Sequence, residues 1–158
     1  MATVTTTVTL NAAFFQEIKD DHHELVDLLN LLEQHSFDGR WHRVSRRQLC
    51  GMFCELRDRV AMHFALEEAY GYFEDAVSVA PRLSIAANRL RGDHESLYQS
   101  VCDLAEISER LVYDQPVIGM GRLLAEQFGF FLEVFRQHEA DECRLIQQAF
   151  TDDIGAAD

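Results

Sequence analysis

Residues 60–70 read VAMHFALEEAY and residues 135–145 read FRQHEADECRL. In each, a histidine is followed four residues later by a glutamate: His63 with Glu67, and His138 with Glu142. A spacing of four on an α-helix stacks two side chains on one face. The apolar residues around them recur at the same helical spacing. Leu49, Phe53, Leu56 and Val60 lead to His63 and Glu67, with Tyr70 beyond. Leu124, Phe128, Phe131 and Phe135 lead to His138 and Glu142, with Leu145 beyond. Histidine and glutamate thus occupy inward positions that an ordinary helical bundle gives to leucine.

Two further stripes carry a histidine alone. Phe15, Ile18, His22, Leu25, Leu29 and Leu32 predict a helix that begins near Asn11 and stops between His35 and Gly39. Ala87, Leu90, His94, Leu97, Val101, Leu104 and Leu111 predict another from Ser84 to about Tyr113. The helix of the first motif starts at Ser45, with Gln48 three residues on as a capping box, and runs to about Val77 before Pro81. The helix of the second motif has Pro116 in its first turn. Four helices of roughly 25 to 35 residues with short connections predict an all-α, antiparallel, up-down-up-down four-helix bundle. Residues 1–10 read as an extended arm, 11–151 as one bundle domain, and 152–158 as a frayed polar tail.

Composition narrows the partners. The chain has 158 residues and a formal net charge of −13. So acidic a surface repels phosphate backbones and anionic lipid, which argues against nucleic-acid and membrane-surface binding. No run of about 20 apolar residues could span a bilayer. The N-terminus lacks the charged and apolar regions of an export signal. Cys50, Cys54, Cys102 and Cys143 form no CxxC pair, and with no export signal they read as reduced thiols of a cytoplasmic protein. One local departure is the run Arg40, Trp41, His42, Arg43 with Arg46 and Arg47. It is either a solvated inter-helix loop or a docking patch for an anion or acidic partner.

The four inward histidines and two inward glutamates call for a compensating charge, because a buried carboxylate is costly unless it is paired or binds a metal. Each motif alone is weak; four inward histidines on four separate stripes, two with a glutamate one turn on, are not. His22, not His23, lies on the first stripe. His23 with Asp27 reads as a solvated pair, and Glu68, Glu139 and Asp141 as helix-surface charge. Imidazole and carboxylate without thiolate suit iron, manganese or zinc, with paired bridging carboxylates typical of di-iron and di-manganese bundles.

His22, then His63-Phe-Ala-Leu-Glu67-Glu68, then His94-Glu95, then His138-Glu139-Ala-Asp-Glu142 resembles the hemerythrin-like family of HHE cation-binding domains, over about residues 11–150. The resemblance implies two iron ions at the bundle core, held by His22, His63, Glu67, His94, His138 and Glu142. Glu67 and Glu142 would bridge them beside an oxo or hydroxo group. It further implies dioxygen, peroxide or nitric oxide as the small ligand. Such a site either turns over peroxide or nitric oxide, or it acts without turnover as an iron or oxygen sensor or store through a protein partner. The oxygen carriers of the family place a second histidine four residues after the third-helix histidine; here that position is Tyr98. Tyr98 is accordingly a candidate phenolate ligand, a hydrogen-bond donor to the ligands, or a core aromatic.

Overall fold

The computed structural model of the protein describes residues 4–69, 71–114 and 117–151. Helix α1 spans Val4–His35, and the backbone then turns through a short hairpin, β1 Ser36–Phe37 and β2 Arg40–Trp41. Asp38 and Gly39 form its two-residue turn, with φ of 54° and 66°. Both central residues of such a turn require positive φ, which Asp and Gly accept at low cost. Helix α2 covers Arg46–Ala69, α3 Tyr72–Val79, α4 Ser84–Tyr113 and α5 Met120–Thr151, with a 3₁₀ turn at Pro81–Leu83.

Helix α2 begins as the sequence requires. The Ser45 backbone N–H donates to Gln48 Oε1 at 3.0 Å, and the Gln48 N–H donates to Ser45 Oγ at 3.2 Å. These bonds satisfy two donors that a helix start leaves unpaired. The expected continuation to Val77 is interrupted. Gly71 adopts the left-handed conformation, φ 65°, and α3 sets off as a separate helix behind it. Three other boundaries differ from or complete the sequence reading. Helix α1 already begins at Val4, inside the stretch read as an extended arm. Helix α5 begins at Met120, behind Gly119 at φ 90°, and Pro116 lies outside the described residues. The tail at 152–158 also lies outside them.

Helices α1, α2, α4 and α5 are the four staves of an antiparallel bundle. Helix α2 packs on α1 and α4, α4 packs on α5, and Arg136 of α5 grips Glu33 of α1 through both carboxylate oxygens at 3.0 and 2.7 Å. The interior is divided. A large apolar cluster, including Leu25, Leu32, Phe53, Leu56, Leu104, Phe128 and Phe135, fills the half nearer the hairpin. A smaller one, including Phe73, Ala76, Leu90 and Leu145, fills the other end under α3. Between them lie the buried polar residues His63, Glu67, His94, His138 and Glu142. Among the described residues, no helix is long and apolar enough to cross a membrane.

Trp41 fastens the hairpin to α5. Its indole N–H donates to the Gly121 carbonyl at 3.1 Å, and its ring meets Phe53 edge-on at 5.5 Å. Loss of a helix cap typically costs about 1 kcal/mol, which for a chain of this size lowers the midpoint by about 2–4 °C. Ser45→Ala is expected to lower the thermal midpoint by that amount, read by circular dichroism, while Ser45→Asp keeps it near wild type. Equal midpoints for wild type and Ser45→Ala would show that the box contributes nothing.

Candidate metal centre

Three inward-facing imidazoles set the frame. His63 Nε2 lies 2.9 Å from Glu139 Oε1 and 3.2 Å from Glu67 Oε1. His138 Nε2 lies 2.9 Å from Glu142 Oε1, and His94 Nε2 lies 3.3 Å from the same oxygen. Glu67 reaches in two directions, because its second oxygen, Oε2, stands 3.5 Å from His94 Nε2. His22 enters from α1 at the margin, its Nδ1 3.4 Å from Glu139 Oε2 and its ring 5.5 Å from that of His63.

These contacts resolve into two triads and a link. His22, His63 and Glu139 bring their ligand atoms within 4.8 Å of one another, and so do His94, His138 and Glu142. Glu67, Glu139 and Glu142 form a third such group between them. All six residues that the sequence singled out as ligands are therefore brought together. His23 is exposed.

Glu139 corrects the sequence reading, which assigned it to the surface. It sits one residue after His138, about 100° around the helix from the stripe. Its carboxylate is only 19% exposed because α1 closes over that side of α5. Tyr98 is placed elsewhere. Its side chain is 41% exposed on the outer face of α4, and its phenol is raised above the ordinary value by the Cys102 thiol beside it. Leu97 takes the core position at that level of α4, 2% exposed.

A ring of outer carboxylates stands behind the imidazoles. His94 Nδ1 lies 3.1 Å from Glu68 Oε1, His63 Nδ1 3.7 Å from Asp21 Oδ2, and His138 Nδ1 3.9 Å from Asp93 Oδ2. Each buried imidazole thus presents Nε2 inward and Nδ1 towards a carboxylate. At His94 the contact is at hydrogen-bond distance, the way a carboxylate fixes the tautomer and aim of a metal-bound histidine. Phe64 completes the setting, stacked on His94 at 4.0 Å with its plane 7° away.

The hydrogen-bonding account does not close without a cation. A neutral imidazole can donate through only one nitrogen, yet carboxylates face both nitrogens of His94. Among the described residues, the buried side-chain polar atoms without a hydrogen-bond partner are Glu67 Oε2, His63 Nδ1, both ring nitrogens of His138, and Asp21 Oδ2. Buried polar atoms are ordinarily satisfied, and every one of these belongs to the cluster or to its outer ring. The donor set of imidazole and carboxylate fits a borderline or hard divalent or trivalent cation.

Protonation compensates in the cation's place. Burial raises Glu67 to about 9, with Glu142 and Glu139 adding to the shift against the pull of His63. Burial alone would lower His63, but the carboxylates of Asp21, Glu139 and Glu67 outweigh it and lift the ring to about 10. Burial would raise Glu142 too, yet the adjacent His138 and His94 imidazoles hold it below the ordinary value.

A family model described as the hemerythrin HHE cation binding domain matches residues 13–149. No curated protein and no solved structure matches the chain.

The metal-free protein should lose stability as pH rises. Glu67 is raised from 4.5 and His63 from 6.5, so between pH 6.5 and about 9 the folded state binds more protons than the unfolded chain, and unfolding becomes easier. Glu142 acts in the opposite sense, but only below its ordinary value of 4.5. The melting temperature of chelator-treated protein is expected to fall steadily across that window, and Glu67→Gln to flatten the slope. A pH-independent midpoint in metal-free wild type would contradict the proton balance drawn here.

Proposed function

The chain belongs to the hemerythrin HHE cation-binding domain family, and from that premise we propose that it is a non-haem di-iron protein that binds or reacts with dioxygen, peroxide or nitric oxide. The observation that carries this reading is the pair of histidine–carboxylate triads joined by Glu67, whose two oxygens face different triads. Three carboxylates and four imidazoles are too many donors for one ion and suit two with shared carboxylates. His22, His63 and Glu139 would hold one iron, His94, His138 and Glu142 the other, and Glu67 would span them. An iron pair supplies redox electrons and coordination positions that a small oxygen or nitrogen species can occupy.

The residues of the chain define what such a site admits. Phe64, Phe73 and Phe135 surround the imidazoles, with Phe73 6.0 Å from His94 and Phe135 6.2 Å from His63. These rings keep bulk water and larger molecules from the buried triad. Glu68, at hydrogen-bond distance from His94 Nδ1, holds that imidazole in one orientation and raises its donor strength, while Asp21 and Asp93 stand opposite the outward nitrogens of His63 and His138. His22 is the least enclosed member, its side chain 40% exposed, so its triad lies nearest solvent. With Tyr98 turned outwards, no phenolate joins the donor set, and small-molecule chemistry falls to the His and Glu residues alone.

Reconstituted protein is expected to hold about two irons per chain, on the pattern of carboxylate-bridged bundles. Glu139→Ala, which takes the only carboxylate from the outer triad and leaves His94, His138 and Glu142 in place, is expected to reduce this to about one. Native mass spectrometry that finds one iron in the wild type, or two in Glu139→Ala, would overturn the assignment. The ferric protein is expected to consume hydrogen peroxide, followed by loss of absorbance at a fixed protein concentration. Glu67→Ala is expected to abolish most of that consumption, and Tyr98→Phe to leave both the rate and the visible spectrum unchanged.

A further inference from the structure

The hairpin end of the bundle contains a cleft of about 660 Å3, a size usual for a small-molecule site. Its floor and lip are apolar: Trp41, Leu49 and Leu111 lie below, and Ile118, fully exposed, stands at the edge. Arg40 and Arg46 line the same cleft, and Asp38 is the one acidic residue on its described lining.

These arginines differ from most of the others. Arg57, Arg59, Arg89, Arg110, Arg122, Arg136 and Arg144 each pair with a carboxylate. Among the described residues, Arg40, Arg46 and their neighbours Arg43 and Arg47 make no ion pair. A chain with 27 acidic and 14 basic residues has acid to spare, so two unpaired guanidiniums lining one cleft stand out. Helices α2 and α5 both start at this cleft, and neither has an acidic residue in its first turn. Their positive ends add to the arginine charge instead of being neutralised.

We propose that this cleft is a second binding site, for a small amphipathic anion: an organic carboxylate whose apolar body lies on Trp41, Leu49 and Leu111 while its head meets Arg40 and Arg46. The guanidinium fork matches a carboxylate through paired hydrogen bonds. The apolar floor excludes a bare inorganic ion as the natural occupant, since it would leave that surface unused. Arg46 and His63 lie 17 residues apart on α2, about 26 Å along the axis, so this site is separate from the metal centre.

Trp41, the only tryptophan of the chain, reports on the cleft directly. The full chain is titrated with decanoate below micelle formation, following Trp41 fluorescence with calorimetry in parallel. Decanol supplies the same body without charge, and inorganic phosphate supplies charge without a body. Saturable binding of decanoate that weakens with added salt is expected. Arg40→Gln/Arg46→Gln is expected to weaken it at least about tenfold, since it removes two charge-assisted contacts. Ile118→Asp is expected to weaken it as well, with iron content unchanged in both variants. The absence of both a fluorescence change and heat with decanoate would overturn the proposal. So would decanol or phosphate binding as tightly as decanoate, or undiminished affinity in the double arginine variant.

Discussion

Three carboxylates, Glu67, Glu139 and Glu142, bring oxygens within 4.8 Å of one another inside the bundle. At that separation each ionised pair repels by roughly 3 kcal/mol even with an effective dielectric constant near 20. Three such pairs would approach the whole stability of an ordinary domain. The fold therefore depends on positive charge delivered among them, and the imidazoles of His22, His63, His94 and His138 are arranged to hold it. Protons can meet the need in part, as the raised Glu67 and His63 show. They leave ring nitrogens and a carboxylate oxygen without partners, however. A cation held between the triads would satisfy the inward-facing ones, Glu67 Oε2 and His138 Nε2, together.

The position of the cluster follows from this constraint. Polar atoms that need one another, and not water, must be walled on both sides. The two apolar clusters do this, the larger towards the hairpin and the smaller under α3. The break at Gly71 is part of the arrangement. A straight continuation of α2 would carry it past the end of the bundle. The left-handed turn instead folds α3 back, so that Phe73, 1% exposed, lies 6.0 Å from the His94 ring. The outer carboxylates extend the design by one layer. Asp21 is largely buried, while Glu68 and Asp93 are half exposed, so the outward side of each imidazole meets a progressively wetter acceptor.

Much of this could be read from residue spacing, because an inward stripe of period 3.6 is a physical requirement of a bundle. His63, Glu67, His138 and Glu142 announce themselves by interrupting such stripes. The Ser45–Gln48 box marks the start of α2, and Ser84 and Tyr113 bound α4 as the stripe and flanking residues indicate. What escaped the stripes was set by packing between helices. Glu139 lies off the stripe and is enclosed only because α1 covers it, and a period read along one helix contains no information about its neighbour. Tyr98 sits one turn after His94 but was never on the inward stripe; Leu97, which was, meets the core at that level. The helix before Asn11 was also missed, as the Thr and Val residues there have only weak helical preference.

The two triads are unequal, and the inequality has a structural origin. His94, His138 and Glu142 come from α4 and α5, and their side chains are 5%, 2% and 2% exposed. His22 and Glu139 of the other triad are 40% and 19% exposed, because α1 meets the bundle at its margin on this side. Desolvation is therefore heavy for His94, His138, Glu142 and His63 and lighter for His22 and Glu139. A cation in the buried triad would gain stronger electrostatic attraction from its desolvated donors. The outer triad lets water and small molecules reach its donors without any movement of the bundle. Glu67, 3% exposed, links the two environments, and its separate oxygens face both. On the di-iron reading, the chain thus pairs an anchored position with an accessible one. Removal of Glu139 separates them because it acts on the accessible position while leaving the aromatic and aliphatic walls of the other untouched.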